Sequence, residues 1–209
     1  YRYEEELVDS EDSFLIDNGE AILNEFLSYI PKESGWEVKY GDWSGKYAHK
    51  RGIERACVCL VKKATMALCG KSPERFWEYF EPYMGQGYHV FNEIILTGLA
   101  ALSPLYSNRV MRYLGSNVDK NGFDYTSGAD DELGLVKEVL KIHGSNCDEE
   151  ELIMIENSIC QYISPNASEW YKRRIEQNKQ KEYPPVYWSF WGDLQYELLQ
   201  CRSEEHTSE

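Results

Sequence analysis

Apolar side chains recur at helical spacing along nearly the whole chain, and proline or glycine interrupts the pattern about every ten to twenty residues. No segment sustains apolar-polar alternation with β-branched enrichment, the pattern a half-buried strand needs. The expected fold class is therefore all-α.

The helices can be placed one by one. Between Gly19 and Ile30, the residues Ile22, Leu23, Phe26, Leu27 and Ile30 share a face, and Pro31 closes it. From Lys46 to Leu68 a second stripe holds Ile53, Cys57, Leu60, Val61, Ala64, Ala67 and Leu68, with Gly70 as a stop. Ser72 and Pro73 supply a side-chain cap and a first-turn residue for a helix with Phe76, Trp77 and Phe80 that runs into Pro82. Tyr88 to Leu102 places Phe91, Ile95, Leu99 and Leu102 on one side. Ser103 and Pro104 open a helix with Leu105, Val110, Met111 and Leu114 inside and Gly115 as its exit. Ser116 to Gly128 reads as a long loop.

Two helices follow, from about Ala129 to Ile142 and from about Asp148 to Ile163, the second burying Leu152, Ile155, Ile159 and Tyr162. Each opens on acids, Asp130 to Glu132 and Asp148 to Glu151, which favour a helix N-terminus, and Gly144 sits past the end of the first. Ser164 and Pro165 start a charged helix reaching Lys181, and a last helix begins near Val186 after Pro184 and Pro185. About eight or nine helices result. Their Ser-Pro starts at Ser72, Ser103 and Ser164 lie 31 and then 61 residues apart, a spacing that fits a helix pair of about thirty residues. Stacked helical hairpins, a solenoid fragment of the TPR or HEAT kind, are expected over 46–201, preceded by a helical segment over 1–45.

The final eight residues, 202–209, are what one frame of a common short-read sequencing adapter encodes, and they are set aside from fold reasoning. The chain opens at Tyr1 without an initiator Met, so both ends are expected to be breaks within a larger parent protein. Setting the tail aside changes the 22 basic and 36 acidic residues to 21 and 33, a formal charge of −12 instead of −14. Phosphate backbones are bound through Lys and Arg, so this balance argues against nucleic acid as a partner. The one basic stretch, Lys172 to Lys181, is interleaved with Glu169, Glu176 and Glu182 and reads as a solvated helix face. No apolar run has the length of a membrane span; the most apolar, Ile94 to Leu102, is short and broken by Thr97 and Gly98. Six cysteines without regular spacing, Cys57, Cys59, Cys69, Cys147, Cys160 and Cys201, fit small core residues in a reducing cytosol.

Chemistry-bearing motifs are sparse. Gly41, Gly45 and Lys46 mimic a phosphate loop, but its glycines need four residues between them and its Lys a following Ser or Thr; three intervene here, and Tyr47 follows. His49, His89 and His143 lie far apart with no partner at ligand spacing, and each reads as a helix-face or helix-end residue. The acid clusters lack the glycine and spacing of a calcium loop. Asn166, Ala167 and Ser168 match a glycosylation sequon but serve equally as a helix start. No catalytic residue, metal ligand or cofactor is assigned.

One cluster stands out as a candidate interaction surface: Tyr183, Tyr187, Trp188 and Trp191, with Phe190 among them. Tyr187, Trp191, Leu194 and Leu198 continue at helical spacing, so the aromatics are either a core stripe that a further repeat covers or anchors for a protein partner.

Leu135-Val136-Lys137, Gly144-Ser145-Asn146-Cys147-Asp148, then Leu152, Ile155-Glu156, Ile159 and Tyr162 form a pattern that resembles the C-terminal helical repeats of bacterial STAND-type ATPases, the antiviral Avs group in particular. The stretch from Pro73 to Gly115, closing in Tyr113-Leu114-Gly115, is similar in style, and the resemblance covers about Lys46 to Cys201. It implies a cytoplasmic parent with an N-terminal effector, a central nucleotide-binding domain and a sensor array that recognises phage proteins and triggers oligomerisation. None of that family's nucleotide-binding or effector motifs matches here, so the fragment is expected to be non-catalytic. A general helical scaffold with another partner, and a helical part of an enzyme whose active site lies elsewhere, are the alternatives.

Overall fold

A computed structural model describes residues 12–29, 53–86, 89–118, 130–162 and 195–201. Among the described residues there are seven α-helices, one 3-10 turn and no strand: α1 (Asp12–Tyr29), α2 (Ile53–Lys71), α3 (Pro73–Phe80), α4 (His89–Ala101), the 3-10 turn (Pro104–Tyr106), α5 (Ser107–Ser116), α6 (Asp130–Gly144) and α7 (Glu149–Gln161). Residues 195–200 are helical as well. The expectation of helices without strands therefore holds over this part of the chain.

Alternate helices are neighbours. α1 lies along α2, α2 along α4, and α4 along α6, while α3 packs on α2 and α5 packs on both α6 and α7. Side chains also join α3 to α5, through the edge-on pair Trp77 and Tyr113 and the ion pair of Glu74 with Arg109. One apolar core runs through all these contacts, from Leu23 and Leu27 of α1 to Ile155 and Ile159 of α7 and on to Leu198. α4 is its centre: Phe91, Ile94, Ile95, Leu96 and Leu99 are buried on several sides of the helix. Each such side chain contributes about 1.5–3 kcal/mol relative to exposure, which makes α4 the helix the fold can least lose. Among the described residues no single helix is long and apolar enough to cross a membrane; the apolar pair Val90–Ala101 and Pro104–Ser116 is bent by 115°.

Gly98 has a specific reason to lack a side chain. A Cβ there would stand 2.3 Å from Cε2 of Phe76 and 2.8 Å from Cγ2 of Thr65, so α4 reaches α2 and α3 only through a glycine. Gly85, in the turn after α3, is left-handed at φ 71°, a conformation only glycine adopts at low cost.

Several boundaries differ from the sequence reading, each for a visible reason. α1 starts at Asp12 instead of Gly19, because Leu15 extends the buried stripe of Leu23 and Leu27, and Gly19 lies inside it facing the Ala64 carbonyl. Gly70, Gly115 and Gly144 fall within the last turns of α2, α5 and α6 instead of beyond them. The Ser72 hydroxyl makes no capping bond; its carbonyl takes the amide of Arg75 instead, at 2.9 Å. Ser103 does cap, but it caps the 3-10 turn, and this corner leaves Leu105, expected inside, 91% exposed. Phe76, Trp77, Phe80, Val110, Met111, Leu114, Ile155 and Ile159 are buried as their spacing required.

Candidate functional site

Tyr183, Tyr187, Trp188 and Trp191 lie outside the described residues, as do His49 and the Gly41 to Tyr47 stretch. Of the stripe they belong to, Leu198 is described; it is buried, next to an exposed Tyr196. What the structure places together is a different set of polar side chains, gathered where helices end.

The first group surrounds His143. This histidine is fully buried in the last turn of α6, where it joins three elements: Nε2 lies 2.8 Å from the Leu99 carbonyl of α4 and Nδ1 lies 2.9 Å from the Ser107 hydroxyl of α5. A carbonyl only accepts, so Nε2 carries the proton, and Nδ1 accepts from the hydroxyl. Protonating the ring would place a charge at the C-terminal end of α4, where the helix dipole favours a cation by up to about 2 kcal/mol. Burying an unpaired cation costs several kcal/mol, and that effect is larger. Burial accordingly holds the imidazole below its ordinary 6.5, with the Leu99 carbonyl pulling weakly upward. Although Ser107 and His143 are in contact, the pair has no acid behind it and the hydroxyl is buried, so the geometry is that of a structural bridge.

The adjacent carbonyl of α4 is served from the other side. Sγ of Cys69, in the last turns of α2, donates to the Gly98 carbonyl at 3.4 Å, and burial pushes this thiol up to about 12, so it keeps its proton. Carbonyls in the last turn of a helix lack partners of their own. α4 thus has two of them satisfied, one from each neighbouring helix.

The second group joins α5 to the start of α7. Asn108 and Arg112 stand one turn apart on α5. Asn108 Nδ2 donates to Oδ2 of Asp148, the N-cap residue, while the Asp148 amide donates back to Asn108 Oδ1 at 2.7 Å. Arg112 pairs with Glu151, a carboxylate only 7% exposed, from a position that is itself 64% exposed. The acids at this helix start therefore divide: Glu149 and Glu150 face solvent, and Asp148 and Glu151 hold α5. At the other end of α7, Gln195 Nε2 donates to the carbonyls of Ile159 at 2.8 Å, Cys160 at 3.0 Å and Tyr162 at 3.3 Å.

The third group is aromatic. Arg109 lies over the Trp77 ring, 4.2 Å from its centre, while bonding Glu74 at 2.9 Å, and Trp77 meets Phe76 and Tyr113 edge-on. Tyr83 stacks on Phe91 at 4.3 Å, and its hydroxyl donates to the Leu27 carbonyl near the end of α1 at 3.1 Å. No local sequence signal marks Asn108, Arg112, Gln195 or the partners of His143, because every one of these bonds joins residues more than thirty apart in the chain.

Among the described residues, no three His, Cys, Asp or Glu side chains come together as a metal site. Comparison with protein-family models, with curated proteins and with solved structures finds no match to this chain.

Proposed function

We propose that this chain is a non-catalytic protein-recognition region of stacked helical hairpins, the sensor part of a cytoplasmic bacterial antiviral ATPase of the STAND type. The observation that carries the architectural half is the neighbour pattern: α2, α4 and α6 follow one another, α5 packs on α7, and side chains of α3 reach α5. Stacked hairpins generate that arrangement because each repeat touches only the next, so contacts recur at a roughly constant separation. The bonds between successive pairs, Lys62 to Glu93, Asn108 to Asp148 and Leu99 to His143, span 31, 40 and 44 residues.

The defence half rests on the resemblance at Leu135–Lys137 and Gly144–Asp148 and in the Ile155 to Tyr162 helix. A solenoid offers an extended surface and leaves chemistry to other domains, which agrees with polar clusters that are consumed in holding helix ends. In this reading the partner is a phage protein, and the parent oligomerises once it is bound.

The test uses the complete parent gene. Deleting Pro73 to Cys201 is expected to abolish phage-triggered activation while nucleotide binding stays close to that of the intact protein. Phage protection that survives the deletion contradicts the sensor role. Loss of nucleotide binding in an otherwise folded protein would make the segment part of the motor.

A further inference from the structure

Among the described residues, the buried titratable group that ties three elements together is His143, and its surroundings are neutral. We propose that His143 is an acid-sensitive latch, whose protonation releases α6 from the corner formed by the end of α4 and the start of α5 while α1 and α2 stay folded.

The geometry comes first. In the closed arrangement both ring nitrogens are taken, Nε2–H by the Leu99 carbonyl and Nδ1 by the Ser107 hydroxyl, and the ring has no exposed surface. A second proton on Nδ1 would have to displace the Ser107 hydroxyl hydrogen and would remain as a buried charge with no carboxylate bonded to it.

Among the described residues, the elements packed around it offer no counter-ion. On α4, Glu93 is paired with Lys62 at 3.0 Å; on α5, Arg109 and Arg112 are themselves cations, paired with Glu74 and Glu151. The turn contributes Tyr106, and α6 itself contributes Glu138 and Lys141, both exposed, and Lys137, which bonds Glu197 of the following segment at 2.6 Å. The charged imidazole is therefore accommodated only when the corner opens and water reaches it.

The sign follows from linkage. The opened or unfolded imidazole titrates near 6.5 and the closed one lower, so the latch is fully engaged above pH 6.5 and weakens as pH falls from there towards the closed-state value. Within that window the opening equilibrium rises by up to about tenfold per pH unit, the limit for one proton taken up on opening. Carboxylates stay ionised down to about pH 5, which keeps the window separate from general acid unfolding.

Amide hydrogen exchange on the full chain tests this, read as protection factors between about pH 7.5 and 5. Protection of Val136, Val139 and Leu140 on α6 is expected to fall below pH 6.5 by up to about tenfold per unit, while Val61 and Ala64 on α2 keep theirs. In His143→Gln, whose amide can still donate and accept, the α6 values should be flat over the same range. Equal losses on α6 and α2 in the natural chain would overturn the proposal, and so would an unchanged slope in the variant. Should the variant fail to fold, the natural chain still decides the matter: an imidazole that titrates at or above 6.5 by NMR in the folded state contradicts the latch.

Discussion

Two seams, one between α4 and α6 and one between α5 and α7, are held by different physics. At the α4–α6 seam a buried neutral histidine has both ring nitrogens bonded, one to the Leu99 carbonyl and one to the Ser107 hydroxyl. At the α5–α7 seam the contacts are charged and half-wet: Asn108 with Asp148, and an exposed Arg112 with a buried Glu151. The first is strong because its imidazole and hydroxyl are buried and would go unpaired if it opened without water; the second is modest because water and salt compete for the guanidinium.

The largest expected effect belongs to the buried seam. His143→Ala leaves the Ser107 hydroxyl without its imidazole partner and the Leu99 carbonyl with the Leu102 amide alone, and it opens a void, at a cost of about 3 kcal/mol in unfolding free energy by urea titration. A loss below about 1 kcal/mol would mean that water replaces the ring without penalty and that the seam is not dry.

Next comes a pair of glycines that sets the packed contact of α4 with α2 and α3 against the α5–α7 seam without changing any polar group. Gly98→Ala forces a methyl into the Phe76 ring and the Thr65 methyl, which a packed centre can relieve only by shifting helices. About 2 kcal/mol of destabilisation is expected, the overpacking cost less the helix propensity gained by alanine. At the other seam, a Cβ on Gly115 would meet the Met154 Cε at 2.8 Å, the far end of a flexible side chain. Gly115→Ala should therefore lie within about 0.5 kcal/mol of the natural chain, since Met154 swings aside and the helix gains propensity. Equal thermal shifts for the two substitutions would erase the distinction between a rigid centre and a yielding edge.

These residues also mark what the sequence could and could not tell. The stripes of α2 to α7 are legible because a side chain's face depends only on its position modulo the helical period, and Phe76, Trp77, Val110, Met111 and Ile155 are buried as that rule demands. Gly19 looks like the start of a helix in the sequence because its absent side chain answers to Ala64 across the α1–α2 contact, 45 residues further along the chain. The helix ends were the least legible. Ser72 carries the residue type of a cap and does not act as one, whereas the C-terminal carbonyls of α1, α4 and α7 are met by Tyr83, Cys69, His143 and Gln195, all of them distant in sequence. Only a cap made within a few residues leaves a local signature. The aromatic cluster at Tyr183, Tyr187, Trp188 and Trp191 keeps its two readings, as covered core or as partner anchor, since it lies outside the described residues.

The most telling effect at the polar seam is smaller than that at His143: Arg112→Ala should cost about 1–2 kcal/mol at low salt by leaving Glu151 with its charge poorly compensated. Urea unfolding of the natural chain, His143→Ala and Arg112→Ala, each at low and high salt, sets the two seams side by side. The loss in His143→Ala should be the same at both ionic strengths, and the loss in Arg112→Ala should shrink towards zero at high salt. A salt-independent loss at Arg112, or a loss at His143 that fades with salt, would contradict the division into a dry neutral seam and a wet charged one.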